Sequence, residues 1–337
     1  MAAKQRRTIM KDYDVILASG AEHLKESFQE EGFRVFTSAL NYDRRRLFPN
    51  ADIYAKLEDV SEISNRRIVI IQSCTGSGPA ENEQYTTSDR VVELLLLLDL
   101  LSRPVAVRET GHKCYECNPI APPSSVEVVL TFQPFALQDK AFRTGEAVSG
   151  RWAIETIANA CNKVWVVNPH AHDSLDWVQK LRDKNLYETI DVIPELVKFA
   201  EKQFGYSDCI LVTPDEGAQE RYKIKGFGKN RENSFKVDLH GNIEVKDKEV
   251  IIVDDLTKSG STLLKAADRL RNQGAADVGM AVAHVLPLTE RGEELLEELL
   301  ENARGMIVTT NTILTEIFGE QNPQLTYDIV QTLVKHL

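Results

Sequence analysis

Along the chain, short uninterrupted apolar runs alternate with stretches whose apolar residues recur at helical spacing. Val250–Val253 is a run of β-branched residues, the pattern of a strand buried on both faces. Leu263, Ala266, Ala267 and Leu270 then recur at i, i+3, i+4 and i+7, which predicts an amphipathic helix, and Gly274 stands where such a helix ends. Ala281, Val282 and Val285 belong to a second buried run. Strand, loop, helix and strand make a βαβ unit with parallel pairing.

The same alternation extends along the chain. Val15–Ala18, Ile68–Gln72, Val126–Phe132 and Val164–Val167 read as strands, with helices predicted over Asp89–Leu101 and Glu146–Ala160. In the second half Cys209–Thr213, Val250–Asp254 and Val278–His284 read as strands with helices interposed. Two successive α/β units, joined near Tyr187–Pro194, account for the pattern. The segment Arg103–Ser125, with its Pro, Cys and Gly, reads as an excursion from the first unit. Gly226–Lys248 is charged, Gly-containing and weakly periodic, so a long mobile loop able to hold a hairpin is expected there.

Composition narrows the class. With 337 residues the chain has room for two domains. A net charge of −11 disfavours binding to a phosphate backbone, so nucleic acid is not an expected partner. No secretory signal is read, and Leu94–Leu98 is too short to span a bilayer and is closed by Asp99, so no membrane partner and a cytoplasmic location are expected. Five cysteines are too few for a disulfide scaffold. Cys114 and Cys117, with His112 two residues upstream, lack a fourth ligand at zinc-site spacing, so reduced thiols are favoured over a metal.

Chemistry concentrates between Glu249 and Val285. Asp254 and Asp255 end the apolar run at the carboxyl edge of a strand, where open α/β sheets bind ligands. Lys258, Ser259, Gly260, Ser261 and Thr262 follow at a helix N-terminus, where backbone N–H groups, hydroxyls and the helix dipole favour an anion such as phosphate. Beside a phosphate, the two carboxylates suit ribose hydroxyls or Mg²⁺. The same residues would also make an N-capped helix beside a surface Asp pair. No G-x-x-x-x-G-K-[ST] occurs, and Thr75–Glu81 breaks the dinucleotide fingerprint at its last glycine.

Val253–Thr262 resembles the ribose-phosphate-binding motif of phosphoribosyltransferases, and further stretches narrow the resemblance to the ribose-phosphate diphosphokinase family. Phe48-Pro49-Asn50-Ala51-Asp52-Ile53-Tyr54 is similar to the loop that contacts the adenine of ATP from a neighbouring subunit. Ile70-Ile71-Gln72-Ser73 is similar to the strand end that follows, and Gln138-Asp139-Lys140 to part of the ATP-binding segment. Pro169-His170-Ala171 sits where the family has a histidine that positions Mg-ATP. Thr213–Gly217, with Arg221, resembles a stretch at the ribose phosphate site, Lys229-Asn230-Arg231 the Lys-x-Arg of the catalytic loop, and Thr310-Asn311-Thr312-Ile313 a late family motif.

The resemblance implies an α/β fold of two phosphoribosyltransferase-like domains, each a mainly parallel sheet flanked by helices. An N-terminal domain over 12–189 would serve ATP, and a C-terminal domain over 190–337 ribose 5-phosphate. It implies transfer of diphosphate from ATP to the C1 hydroxyl of ribose 5-phosphate, with Mg²⁺ as cofactor, in a homo-oligomer (dimer or hexamer). Lys229, Arg231 and His170 would be catalytic. Phe48, Asn50, Asp52, Gln138 and Asp139 would bind ATP. Asp254, Asp255, Lys258, Ser259, Gly260, Ser261, Thr262 and Asp215 would bind ribose 5-phosphate, and His170 and Asp215 would face the metal.

Two departures stand out. Leu137 replaces an Arg before Gln138, and Asn168 replaces an Asp two residues before His170. They keep a non-catalytic regulatory homologue open as an alternative, with a phosphoribosyltransferase acting on a base behind it. A histidine such as His170 can also be simply structural, and His172 is read that way.

Overall fold

The computed structural model of the chain describes residues 11–76, 83–171, 173–214, 228–231, 237–240, 244–287 and 291–337. It divides into two compact units. The first takes the described residues of Met1–Thr75, Tyr85–Val166 and Asp176–Glu188; the second takes those of Gly76–Gln84, Val167–Leu175 and Thr189–Leu337. No described helix is long and apolar enough to cross a membrane.

The first unit is built on a six-stranded sheet. Its strands are β1 (Tyr13–Leu17), β2 (Val35–Thr37), β3 (Arg67–Ser73), β6 (Ser125–Phe132), β7 (Lys163–Val167) and β8 (Tyr187–Ile190), in the order β2-β1-β3-β6-β7-β8. The pairs β1/β2, β1/β3, β3/β6 and β6/β7 are parallel. Val15, Ile16 and Leu17 of β1 and Ile68–Ile71 of β3 are fully buried. Continuous apolar strands are what a parallel sheet covered on both faces requires.

Helices α1 (Lys25–Glu30), α2 (Thr87–Ser102), α3 (Ser149–Ala158) and α4 (Asp176–Asp183) intervene. Helix α2 starts sharply because Thr86 and Asp89 form a reciprocal capping box. It buries Val91, Leu94, Leu97, Leu98 and Leu101, so Leu94–Leu98 lies in a helix that packs one face on the core.

Between α2 and β6 the excursion read from the sequence is an antiparallel ribbon, β4 (Val105–Gly111) and β5 (Cys114–Pro119). Every residue of both strands is exposed. Cys114 and Cys117 are three positions apart on one strand, which points their side chains to opposite faces. Both are free thiols, and among the described residues no group of three His, Cys, Asp or Glu could hold a metal.

The second unit is a five-stranded parallel sheet in the order β15-β14-β13-β12-β9, with β9 (Ile210–Val212), β12 (Glu249–Thr257), β13 (Asp277–Val285), β14 (Ile307–Thr310) and β15 (Thr326–Tyr327). Helices α5 (Ile193–Phe204), α6 (Ser261–Asn272), α7 (Gly292–Asn302) and α8 (Val330–His336) alternate with these strands. Helix α6 buries Leu263, Ala266, Ala267 and Leu270, the four positions set by the 3.6-residue period. Gly274, at φ +91, follows it in the left-handed conformation that closes helices. The strand predicted over Val250–Asp254 runs on to Thr257. Within Gly226–Lys248, β10 (Gly228–Arg231) and β11 (Val237–His240) form an antiparallel hairpin.

Candidate active site

The carboxyl end of β12 organises the site. β12 lies between β13, which pairs with it as far as Thr257, and the edge strand β9, which pairs with Val250–Ile252, so its last residues emerge from a paired base. Asp254 and Asp255 are only 8% and 4% exposed. That burial excludes the reading of an exposed Asp pair beside an N-capped helix. Asp254 Oδ1 accepts from the backbone N–H of Asp255 at 3.0 Å. Asp255 Oδ2 lies 2.8 Å from His170 Nδ1. A carboxylate only accepts, so Nδ1 carries the proton and Nε2 is the basic nitrogen of His170.

The turn after β12 is shaped by one glycine. Gly260 is the N-cap of α6 at φ +68, and its N–H donates to Thr257 Oγ1 at 3.0 Å. A Cβ at this position would sit 2.1 Å from Leu299 Cδ1, so both the left-handed backbone and the packing against α7 oppose a side chain. No side chain caps α6. Its first-turn amides, from Ser261 onward, have no intrahelical acceptor and are available to an anion. Lys258, Ser259, Ser261 and Thr262 are half-buried around this turn.

In the first unit, the donors that follow β1 are already engaged. After β1, Ser19 N–H lies 3.1 Å from Glu93 Oε1, and Gly20 N–H donates to Gln72 Oε1 at 2.9 Å. The Ser19 hydroxyl also reaches Glu93, with the fully buried Arg90 beside it. These two backbone donors are satisfied there by the chain's own side chains, Ser19 by the Glu93 carboxylate and Gly20 by the Gln72 amide oxygen.

His170 belongs to a segment tied down by neighbours. Asn168, just before Pro169, adopts φ +35 and is 5% exposed. Its Nδ2 donates to Asp191 Oδ1 at 2.7 Å, and its Oδ1 accepts from Val192 N–H at 2.8 Å. The amide therefore caps the turn into α5. Asn168 stands where the resemblance places an Asp; in the fold the position calls for a donor, because its Nδ2 faces the Asp191 carboxyl oxygen.

The residues read as ATP-binding lie in the first unit. Phe48 N–H donates to Asp52 O at 2.9 Å and Ala51 N–H to Phe48 O at 2.8 Å, closing a tight loop whose tip, Asn50 to Asp52, is exposed. Asn50 Nδ2 donates to Asp52 Oδ2 at 2.6 Å. The Phe48 and Tyr54 rings meet edge to face at 5.6 Å, stiffening the loop base. Gln138 is half-buried; Asp139 is buried, with its carbonyl accepting from Trp177 Nε1 at 3.0 Å. Leu137, in the place of an Arg, is exposed.

Lys229 and Arg231 are alternate residues of β10, opposite Leu239 and Val237 of β11. Asp215, His172 and Arg221, also singled out from the sequence, lie outside the described residues. Sequence reasoning missed His284. It is 2% exposed, with its ring against Thr312 and the carbonyls of Val167 and Asn168. A histidine inside an apolar strand run was the available signal.

Comparison with known proteins follows the same lines. The phosphoribosyl transferase domain family matches residues 217–305. The ribose-phosphate pyrophosphokinase of Pyrococcus furiosus is 26% identical over 314 residues, covering 90% of this chain and 95% of that one. That of Methanosarcina acetivorans is 29% identical over 276 residues, covering 79% and 82%. In fold, the chain is similar to the phosphoribosylpyrophosphate synthetase of Mycobacterium smegmatis, with a TM-score of 0.69, 21% identity and 97% of each chain covered.

Proposed function

We propose that this chain, which belongs to the ribose-phosphate pyrophosphokinase family, transfers diphosphate from Mg-ATP to the C1 hydroxyl of ribose 5-phosphate, yielding phosphoribosyl diphosphate and AMP. The observation that carries the reading is the end of β12. Buried Asp254 and Asp255 sit beside a glycine-capped helix N-terminus, and Asp255 grips His170.

In this reading the 5-phosphate rests on the turn from Lys258 to Thr262, with Asp254 and Asp255 holding the 2- and 3-hydroxyls. Asp215 contributes on the same side. The C1 oxygen attacks the β-phosphorus, giving up its hydroxyl proton to solvent, as the bond from that phosphorus to the AMP oxygen breaks. Such a transfer depends on alignment and on stabilising charge at the phosphoryl oxygens rather than on covalent help. Lys229 and Arg231 supply that charge, Arg bidentately and Lys as a compact cation. Held by Asp255, His170 is fixed in one tautomer toward the ATP phosphates.

Mg²⁺ fits this donor set, because it is ordinarily bound by one or two carboxylates together with substrate phosphates rather than by an all-protein cage. Residues on the His170 and Asp215 side would face it, and when bound it would neutralise charge on the transferring group. Phe48, Asn50 and Asp52 contact adenine across a subunit boundary, and Gln138 and Asp139 complete the ATP side. A cytoplasmic homo-oligomer, dimer or hexamer, belongs to the same proposal.

The test is to incubate the purified protein with Mg-ATP and ribose 5-phosphate and to assay both AMP and phosphoribosyl diphosphate. Stoichiometric appearance of both is expected. Binding of either substrate without turnover would transfer the proposal to a regulatory homologue, consistent with the missing cation at Leu137.

A further inference from the structure

His284 lies on β13 opposite Leu256 of β12, one residue beyond Asp255. Its Nε2 is 3.2 Å from both the Val167 and the Asn168 carbonyl oxygens. Carbonyls only accept, so Nε2 carries the proton. Nδ1, 2.8 Å from Thr312 Oγ1, then accepts the Thr312 hydroxyl proton. Thr310 Oγ1 donates to Ala283 O at 2.7 Å, and Thr312 N–H donates to Thr310 Oγ1 at 3.2 Å. The late Thr-Asn-Thr-Ile stretch thus has a structural consequence: the two carbonyls select a single tautomer of His284, and the Thr312 hydroxyl supplies the donor that its Nδ1 then requires. Burial, which pushes the imidazole down to about 4, keeps the ring neutral as this arrangement requires.

The carbonyls held by Nε2 lie immediately upstream of His170. Asn168 is fixed further through Asp191 and Val192. Only Pro169, with its locked φ, separates it from His170. The segment is therefore held at two points by neighbouring strands: β13 grips its backbone through His284, and β12 grips its imidazole through Asp255. We infer that His284 is a positioning residue for His170, aligning that imidazole for the phosphoryl transfer through the Thr312–His284–carbonyl chain. The effect on rate rests on the function proposed above; the alignment itself does not.

Three variants test the inference: His284→Leu, which removes the donor; His284→Gln, which returns an N–H near Nε2; and the isosteric Thr312→Val, which frees Nδ1. With His284→Leu, kcat should fall roughly ten- to a hundredfold, as misplacement of a catalytic group does. KM for ribose 5-phosphate should stay within about twofold. His284→Gln should recover most of the rate. In a His170→Ala background His284→Leu should cause no further loss; the same fractional loss in both backgrounds would overturn the inference.

A second readout does not depend on turnover. At fixed pH, the ¹H–¹⁵N ring signals of His170 should shift in His284→Leu and in Thr312→Val but stay near wild type in His284→Gln. Unmoved His170 signals in folded His284→Leu would overturn the inference even if the wild type makes no phosphoribosyl diphosphate, a result that by itself would sink only the function. Should His284→Leu fail to fold, Thr312→Val decides by the same two measurements.

Discussion

His170 and Asp255 are 85 residues apart in sequence and meet at 2.8 Å between Nδ1 and Oδ2. The carboxylate fixes which imidazole nitrogen carries the proton, and Asp255 also belongs to the ribose side of the proposed site. Asp255→Asn exchanges a pure acceptor for a group that also donates, so the tautomer is no longer enforced. Loss of roughly 10²-fold in kcat is expected, together with a raised KM for ribose 5-phosphate. Rates within about threefold of wild type in the AMP assay would contradict this role.

Gly260 meets two constraints at once, a φ of +68 and a Leu299 methyl 2.1 Å from any added Cβ. Gly260→Ala should cost roughly 2–4 kcal/mol of stability by denaturant titration. It should also weaken inorganic phosphate binding at the turn more than ATP binding. A fully stable variant would show that the turn adopts another conformation.

Asn168→Asp restores the residue type of the family and should nevertheless be harmful. Asn168 Nδ2 donates to Asp191 Oδ1 at 2.7 Å, and a carboxylate there would face another carboxylate. A loss of about 1–3 kcal/mol at neutral pH is expected, easing toward about pH 4 as a protonated carboxyl regains the donor. Stability measured across that range decides the matter.

The acid stability of the chain should carry the signature of His284. Burial lowers its pKa from the usual 6.5 to about 4, so the unfolded chain takes up the proton first. The neutral ring contributes fully above pH 6.5, and this contribution declines as pH drops toward 4. One proton corresponds to about a tenfold change in the folding constant per pH unit. His284→Gln should remove that part of the slope, so a difference between the two stability curves that is constant with pH would show that His284 is not the group responsible.

Ala51 adopts φ +67 at the tip of the Phe48 loop. A glycine there avoids the Cβ clash of the left-handed region, although it adds freedom to the unfolded chain. Ala51→Gly should raise stability by roughly 0.5–1 kcal/mol, measured as a shift in the denaturant midpoint without a change in its slope.

Apolar patterning alone determined β1, β3, β6, β7, β9, β12 and β13 and the buried stripe of α6, because strand and helix periods are local properties; the short strands β2, β8, β14 and β15 were not legible, and β8 was read as the joint between the units. Motif spacing likewise marked Asp254, Asp255 and the Gly260 turn, since a strand end and the helix turn that follows it are contiguous in sequence. The β4–β5 ribbon was legible only as an excursion: every residue in it is exposed, so no buried stripe marks its strands. The burial of Asp254 and Asp255, which rules out a surface acid pair, is a property of the folded chain around β12 and not of its own residues. The same holds for Asn168 and His284. Substitution of an Asp by Asn reads as lost chemistry until Asp191 is found beside it, and a histidine within a strand reads as core until its ring meets Thr312 and the carbonyls before His170. Those partners lie 23, 28 and 117 residues away, so only the folded chain brings them within hydrogen-bond range.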